Sequence, residues 1–224
     1  MEQEKSVIIL SGGLDSTTLT YDLVNQGMKV YPISFNYKQK HEKELEYATI
    51  TTKKLGLEHK IVDLSVLNDL APSSLTRKEW KIPEGHYNDE TMKQTVIPNR
   101  NMVMLSLATS YAISLQAKKL YYGAHSGDHT IYPDCRKEFV KKLGEAIKIC
   151  DWNKIILKVP YINISKADIV AKGLKLGVPY EDTWTCYKGL KKACGVCGSC
   201  RERLEAFKIN NVQDPLCYMS LDDM

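Results

Sequence analysis

The 224-residue sequence has no apolar run long enough to cross a bilayer. Its longest uncharged apolar stretches, such as residues 7–10, fall far short of the ~20 residues required. It lacks a secretory start as well: MEQEKSVIIL is acidic before it is apolar, so a cytoplasmic location is expected. It lacks a strong charge of either sign. With 31 Lys and Arg against 27 Asp and Glu the net charge is +4, too mild to imply nucleic acid as a direct partner. No internal repeat or low-complexity segment is present. The 43% apolar and 26% charged content excludes disorder, collagen and coiled coil. A chain of this length forms one domain, or one domain with a small appendage. It buries ~70% of its unfolded surface, so no disulfides are needed to hold its core.

What is present is a strand–helix alternation. Residues 6–10 (SVIIL), 29–35 (KVYPISF), 59–64 (HKIVDL), 119–124 (KLYYGA) and 154–159 (KIILKV) read as strands. Pro32 marks the second as an edge strand or a bulge. Helices are expected over 16–26, over the spaced set Leu45, Ala48, Thr52 and Leu55, and over 101–116, which is apolar on nearly every side and reads as fully buried. Further helices follow from Phe139, Val140, Leu143, Ala146, Ile147 and Cys150, and from a capping box of Ser165 and Asp168. Residues 65–99 show no period and carry Pro72, Arg77, Trp80, Pro83, Gly85 and Pro98, the composition of a lid or mobile loop. The alternation predicts a doubly wound parallel α/β sheet over 1–177, with 178–224 as a metal-knit appendage.

The loop SGGLDS, residues 11–16, lies between the first strand and the first helix. Gly12 and Gly13 let the backbone approach a ligand closely. The free N–H groups at the helix start form an anion nest, and Ser11, Ser16, Thr17 and Thr18 add hydroxyls. The loop has neither the GK[ST] of a Walker A motif nor the spacing of GxGxxG. Asp15 is unusual beside phosphates unless Mg²⁺ bridges them. A tight turn of small residues is the bland alternative.

Seven cysteines are present, and four of them, Cys186, Cys194, Cys197 and Cys200, follow C-x7-C-x2-C-x2-C. Such clustering in an intracellular chain points to metal rather than to disulfides. Four thiolates suit a tetrahedral, structural Zn²⁺. An iron–sulfur cluster is the rival, but the ferredoxin run continues x3-C-P, and residues 201–204 contain no cysteine.

SGGLDS resembles the signature of the PP-loop ATP pyrophosphatases. That resemblance implies a five-stranded HUP-type parallel sheet and adenylation of a substrate oxygen with release of pyrophosphate. Four more strings narrow it: QKHEKEL (39–45), IPNRNMVMLSLA (97–108), GAHSGDHTIYPDCRKEF (123–139) and TCYKGLKKACGVCGSCRERLEAF (185–207). Together they are similar, nearly end to end, to the 7-cyano-7-deazaguanine synthase branch. Asn99 stands where many bacterial members have glycine, and Lys40 where arginine is common.

The resemblance implies conversion of 7-carboxy-7-deazaguanine, ammonia and ATP to the nitrile, through an adenylated carboxylate and an amide, in a homodimer with Mg²⁺ and one structural Zn²⁺. ATP would lie along Leu10, Ser11, Gly12, Gly13, Leu14, Asp15, Ser16, Thr17 and Thr18. The catalytic candidates are Asp15, Ser16, Arg100, Asp134 and Arg136. The substrate-binding candidates are His125, Asp128, Tyr132, Asp134 and Arg136. Asp134 is the first choice to accept from the ring N–H and the amine of the base, with Asp128 second; alternatively Asp134 caps the helix that begins near Arg136. His125 and His129 also read as plain loop polar groups, and Cys135 as a nucleophile the chemistry does not need. Two alternatives remain: a PP-loop tRNA sulfurtransferase or ligase, for whose RNA-binding domain the chain has no spare length, and a non-catalytic ATP-binding protein on the same fold.

Overall fold

The five apolar runs become five parallel strands in the computed structural model, which describes residues 3–85, 93–130 and 132–220. They are β1 (Lys5–Ile9), β2 (Lys29–Asn36), β3 (Lys60–Asp63), β4 (Lys119–Tyr121) and β5 (Ile156–Lys158), ordered β3-β2-β1-β4-β5. The helices are α1 (Leu14–Asn25), α2 (Lys43–Lys54), α3 (Val66–Leu70), α4 (Arg100–Ser114), α5 (Lys137–Ile149), α6 (Lys166–Lys175) and α7 (Gly198–Ile209). From β1 the chain winds outward to β2 and β3, then returns to β4 on the other side. The crevice where the order reverses opens at the C-terminal ends of β1 and β4, the place where ligands bind in such sheets.

Successive residues of β1 point to opposite faces, and each face has its own core. Val7 packs with Phe35, Leu105, Ala108, Leu120 and Ile147, under α4 and α5. Ile8 packs with Leu19, Leu23, Ile169, Val170 and Phe207, under α1, α6 and α7. Each such fully buried Leu or Ile contributes about 1.5–3 kcal/mol. Val178, Tyr180 and Phe207 of the C-terminal segment belong to this second core. Arg203 anchors that segment. It is wholly buried, donates from Nε and Nη2 to both Asp214 oxygens at 2.8 and 2.9 Å, and donates to the Tyr180 carbonyl at 2.9 Å.

Three expectations need correction. β2 is an interior strand, paired with β1 and β3, despite Pro32. The Ile33 carbonyl accepts from Leu10 on the β1 side, so Pro32, one residue earlier, faces the β3 side. Pairing with β3 begins only at Ile33 opposite Lys60, so the donor that proline lacks is not missed. α4 is not buried all round: Met102 and Leu107 are exposed, while Met104, Leu105, Ala108 and Ala112 face the core. Finally, the described part of 65–99 is not a loose lid. It forms α3, and Leu67, Ala71, Leu75 and Ile97 join the first core. Residues 86–92 lie outside the described residues. The capping box is as expected: Ser165 Oγ accepts from the Asp168 N–H at 3.2 Å, and Asp168 Oδ2 accepts from the Ser165 N–H at 2.9 Å.

Candidate active site

Gly12 adopts φ +87°, and a Cβ there would lie 2.0 Å from the Glu44 carbonyl oxygen. Only glycine lets the loop press this closely on the first turn of α2. On the other side the Gly12 carbonyl accepts from the Trp184 N–H at 3.0 Å. Within the loop, Ser11 Oγ accepts from the Gly13 N–H at 3.1 Å and pairs with Ser16 Oγ at 3.0 Å. The start of α1 is thereby held open toward a cavity of about 220 Å³.

Leu10, Ser11, Gly13, Leu14, Asp15 and Ser16 line that cavity. Gly12 supports it from behind, and Thr17 and Thr18 turn inward. Thr18 Oγ1 donates to the Leu14 carbonyl at 2.8 Å and meets the Tyr180 hydroxyl at 3.0 Å.

Two other side chains converge on Asp15. Its Oδ2 lies 3.4 Å from Lys166 Nζ and 3.8 Å from His125 Nε2. Lys166 also reaches Glu202 Oε2 at 2.7 Å. Asp15 Oδ1 is buried and has no hydrogen-bond partner. A hard divalent cation seeks such an oxygen, so the loop fits Mg²⁺ held together with phosphate oxygens.

Asp128 lines the cavity on the β4 side. Its Oδ2 accepts from the His125 N–H at 3.1 Å, and burial raises its pKa against the pull of His125 and Lys166. His125 is therefore not a free loop group: it is buried, with Asp15, Asp128 and Glu202 oxygens 3.8, 3.7 and 3.9 Å from Nε2. The side chain of His129 lies outside the described residues. Tyr132 is buried and its hydroxyl meets Thr95 Oγ1 at 3.1 Å and the Tyr187 hydroxyl at 3.2 Å.

Arg100 also lines the cavity, bonded through Nε to Asn101 Oδ1 at 3.2 Å and through Nη1 to the Tyr37 hydroxyl at 3.4 Å. Asp134 and Arg136 are not among its lining residues. Asp134 Oδ2 accepts from the backbone N–H of Asn101 at 3.1 Å, so it serves the start of α4 rather than the helix that follows it. Arg136 is exposed, and it is the residue preceding α5. Asn99, just before α4, sits at φ +60°, a left-handed conformation that glycine adopts without strain. Cys135 does face the cavity, but burial pushes its thiol pKa up, which disfavours the thiolate a nucleophile needs.

Sequence reading alone did not single out Glu44, His41, Lys166 and Glu202. Glu44 and His41 lie within the QKHEKEL string, so that string was the available signal. Glu202 lies in the 185–207 string, two residues after a clustered cysteine, whereas Lys166 opens α6 and belongs to no quoted motif.

Cys186, Cys194, Cys197 and Cys200 are all buried, and their sulfurs lie within 4.8 Å of one another. Four thiols crowded this closely can hold a metal ion, and the tetrahedral preference of Zn²⁺ suits four sulfur ligands. Trp184, Thr185, Tyr187, Ser199 and Glu202, interleaved with these cysteines, reach the cavity.

The family model described as "Queuosine biosynthesis protein QueC" matches residues 5–211. The chain belongs to this family. Among relatives of this QueC-family chain is a 7-cyano-7-deazaguanine synthase of Caldicellulosiruptor saccharolyticus, 61% identical over 214 residues, covering 96% of this chain and 95% of that protein. Another, of Methanoregula boonei and of the same name, is 60% identical over 214 residues and covers 96% and 99%. Two solved structures share the fold at low identity. NMN synthetase from Francisella tularensis has a TM-score of 0.54 at 14% identity, covering 99% of this chain and 81% of that one. The U34-tRNA thiolase NcsA of Methanococcus maripaludis, solved with its [4Fe-4S] cluster, has a TM-score of 0.51 at 17% identity, covering 94% and 66%.

Proposed function

We propose that this chain converts 7-carboxy-7-deazaguanine, with ATP and ammonia, to 7-cyano-7-deazaguanine. The observation that carries the reading is the 61% identity, across nearly the whole of both chains, to a synthase of that name. The loop and the cavity beside it support the chemistry.

A carboxylate does not react with ammonia until one of its oxygens becomes a leaving group. Attack of that oxygen on the α-phosphorus of ATP makes an acyl adenylate and expels pyrophosphate. Ammonia then displaces AMP to give the amide. In a second round the amide oxygen attacks ATP in the same way, and loss of AMP leaves the nitrile. One site serves both rounds, because each attacks the same phosphorus atom.

The chain's own contribution is positioning and charge stabilisation. Ser11, Gly13 and Ser16 receive the departing pyrophosphate at the positive end of α1. Arg100 holds the substrate carboxylate or a phosphate oxygen, a role supported by its lining the cavity, which Arg136 does not. Asp128 accepts from the ring N–H and amine of the base, with Tyr132 beside it. Asp134 acts at one remove, through Asn101, by fixing the start of the helix that carries Arg100. Asp15 would hold Mg²⁺, which neutralises phosphate charge when bound. The four cysteines would hold a structural Zn²⁺, since four protein ligands leave no open position. In this reading 1–177 binds ATP, while 178–224 carries the metal and closes the cavity.

The enzyme acts on small molecules in the cytoplasm, a reducing compartment suited to free clustered thiols. It works as a homodimer, a state consistent with the exposed Ile149 (83%) and Trp152 (98%) near the end of α5; light scattering at micromolar concentration tests it. No described helix is long and apolar enough to cross a membrane.

The function is tested by following AMP and pyrophosphate release with and without 7-carboxy-7-deazaguanine. Release that depends on the deazaguanine, at two AMP per nitrile, is expected. Release that depends instead on bulk tRNA would move the chain to the tRNA-modifying class. No turnover with either would make it a binding protein.

A further inference from the structure

The cavity contains an acid that the scheme above leaves unused. Glu44, in the first turn of α2, faces the cavity beside the loop. Its Oε1 lies 3.9 Å from where a Cβ on Gly13 would stand. The other acids of the cavity have partners or an assigned role: Glu202 and Asp15 Oδ2 meet Lys166, Asp15 Oδ1 is the oxygen offered to Mg²⁺, and Asp128 accepts from the His125 N–H. Among the described residues Glu44 has no side-chain hydrogen bond. Its nearest ionisable contact is His41 Nε2 at 3.8 Å. His41 is buried and lines the same cavity, and its Nδ1 is buried without a partner. A partly buried carboxylate that faces a reaction cavity beside a buried imidazole forms a site for a small polar hydrogen donor.

The chemistry requires such a site. The nitrogen enters as ammonia with three hydrogens and ends in a nitrile with none. One proton leaves as the amide forms, one as the amide oxygen is adenylated, and one as AMP departs.

We propose that Glu44 is the residue that receives ammonia and accepts its N–H protons, with His41 fixing the carboxylate's position; this rests on the synthase reading above. Ammonia lodges against the Glu44 carboxylate, next to the carbon being attacked. The N–H protons pass one at a time to a Glu44 oxygen, each moving on to solvent before the next leaves the nitrogen. Burial raises the Glu44 pKa to about 8, close to a working pH, which suits a group that must both take and release protons. The charged or titratable groups around it are Arg100 from α4, Asp15 from α1, Lys166 from α6, Tyr37 after β2, and His41.

The test uses Glu44→Gln and Glu44→Asp in the full-length enzyme, with three readouts. The first is exchange of labelled pyrophosphate into ATP with 7-carboxy-7-deazaguanine and no ammonia, which reports adenylation alone. The second is nitrile formation from the acid, and separately from the amide. The third is the pH profile at constant free ammonia. Glu44→Gln should retain exchange within about threefold while nitrile formation falls roughly 100-fold or more. Glu44→Asp should recover part of that loss. The rise of the wild-type rate with pH through about 8 should be absent in Glu44→Gln. Equal loss of exchange and nitrile formation in a variant that melts like wild type would overturn the assignment, as would full nitrile formation by Glu44→Gln. Failure of the wild-type enzyme to make nitrile would count against the synthase reading itself, not against this division of its steps.

Discussion

Lys166 Nζ stands 3.4 Å from Asp15 Oδ2, so the first residue of α6 is tied to the acidic residue of the phosphate loop. The same ammonium reaches Glu202 on α7 at 2.7 Å. One lysine thereby joins the loop, a capped helix and the cysteine-bearing segment. Its side chain is 11% exposed, so the pairing is only partly screened by water.

Replacing Lys166 with Met leaves two carboxylates close together with no cation between them. Turnover is expected to fall at least tenfold, and the melting temperature to drop by several degrees, because breaking a shielded pair strands a charge. Unchanged kinetics would show that the lysine is ornamental to the loop. Asp15→Asn, by contrast, should abolish ATP-dependent turnover while circular dichroism stays unchanged.

Asp128 and Asp134 separate base reading from positioning. Asp128→Asn should weaken binding of the carboxy-deazaguanine by about 1–3 kcal/mol, a factor of roughly 5–150, and spare ATP. Asp134→Ala should instead cost ~1 kcal/mol of stability through loss of the Asn101 N–H acceptor. Paired calorimetric titrations and thermal melts distinguish the two. Weakening of the base by Asp134→Asn alone would return Asp134 to the first place.

The cysteine cluster predicts one zinc per chain by elemental analysis. Cys197→Ser should lower solubility and stability before it affects chemistry specifically, because a structural metal contributes folding energy. A brown protein with iron–sulfur absorbance and little zinc would contradict this.

Glu44 also makes a prediction about stability. Burial raises its pKa from 4.5 to about 8 in the folded state. Stability from its neutral form is full below the unfolded pKa and is lost as pH rises through about 8. Glu44→Gln should therefore be less sensitive to pH between 5 and 8 than wild type. Parallel melting curves for the two across that range would contradict the shift. His41 acts oppositely at lower pH. Burial, with Arg100 nearby, lowers its pKa to about 3, so the stability it contributes is lost as pH falls from 6.5 toward 3.

Much of the site was legible in the sequence because its signals are local. SGGLDS is one turn, and the cysteines span fifteen residues of one segment. Glu44, Lys166 and Glu202 were not legible in that way, because they come from three helices that meet only after the sheet has formed. The helix start that Asp134 serves was hidden for the same reason: it lies 33 residues upstream. Pro32 misled because strand pairing is set residue by residue, and β3 begins one residue too late to need its donor. The apolar stretch of α4 concealed an exposed face, since Met102 and Leu107 are no less apolar than the residues beneath them.

The most direct test of the account is mass spectrometry of the product formed from 7-carboxy-7-deazaguanine, ATP and ¹⁵N-ammonium. The account predicts 7-cyano-7-deazaguanine with the label in its nitrile nitrogen, preceded by the labelled amide, with AMP and pyrophosphate as co-products. Unreacted acid in the presence of active ATP turnover, or label carried into tRNA instead, would contradict it.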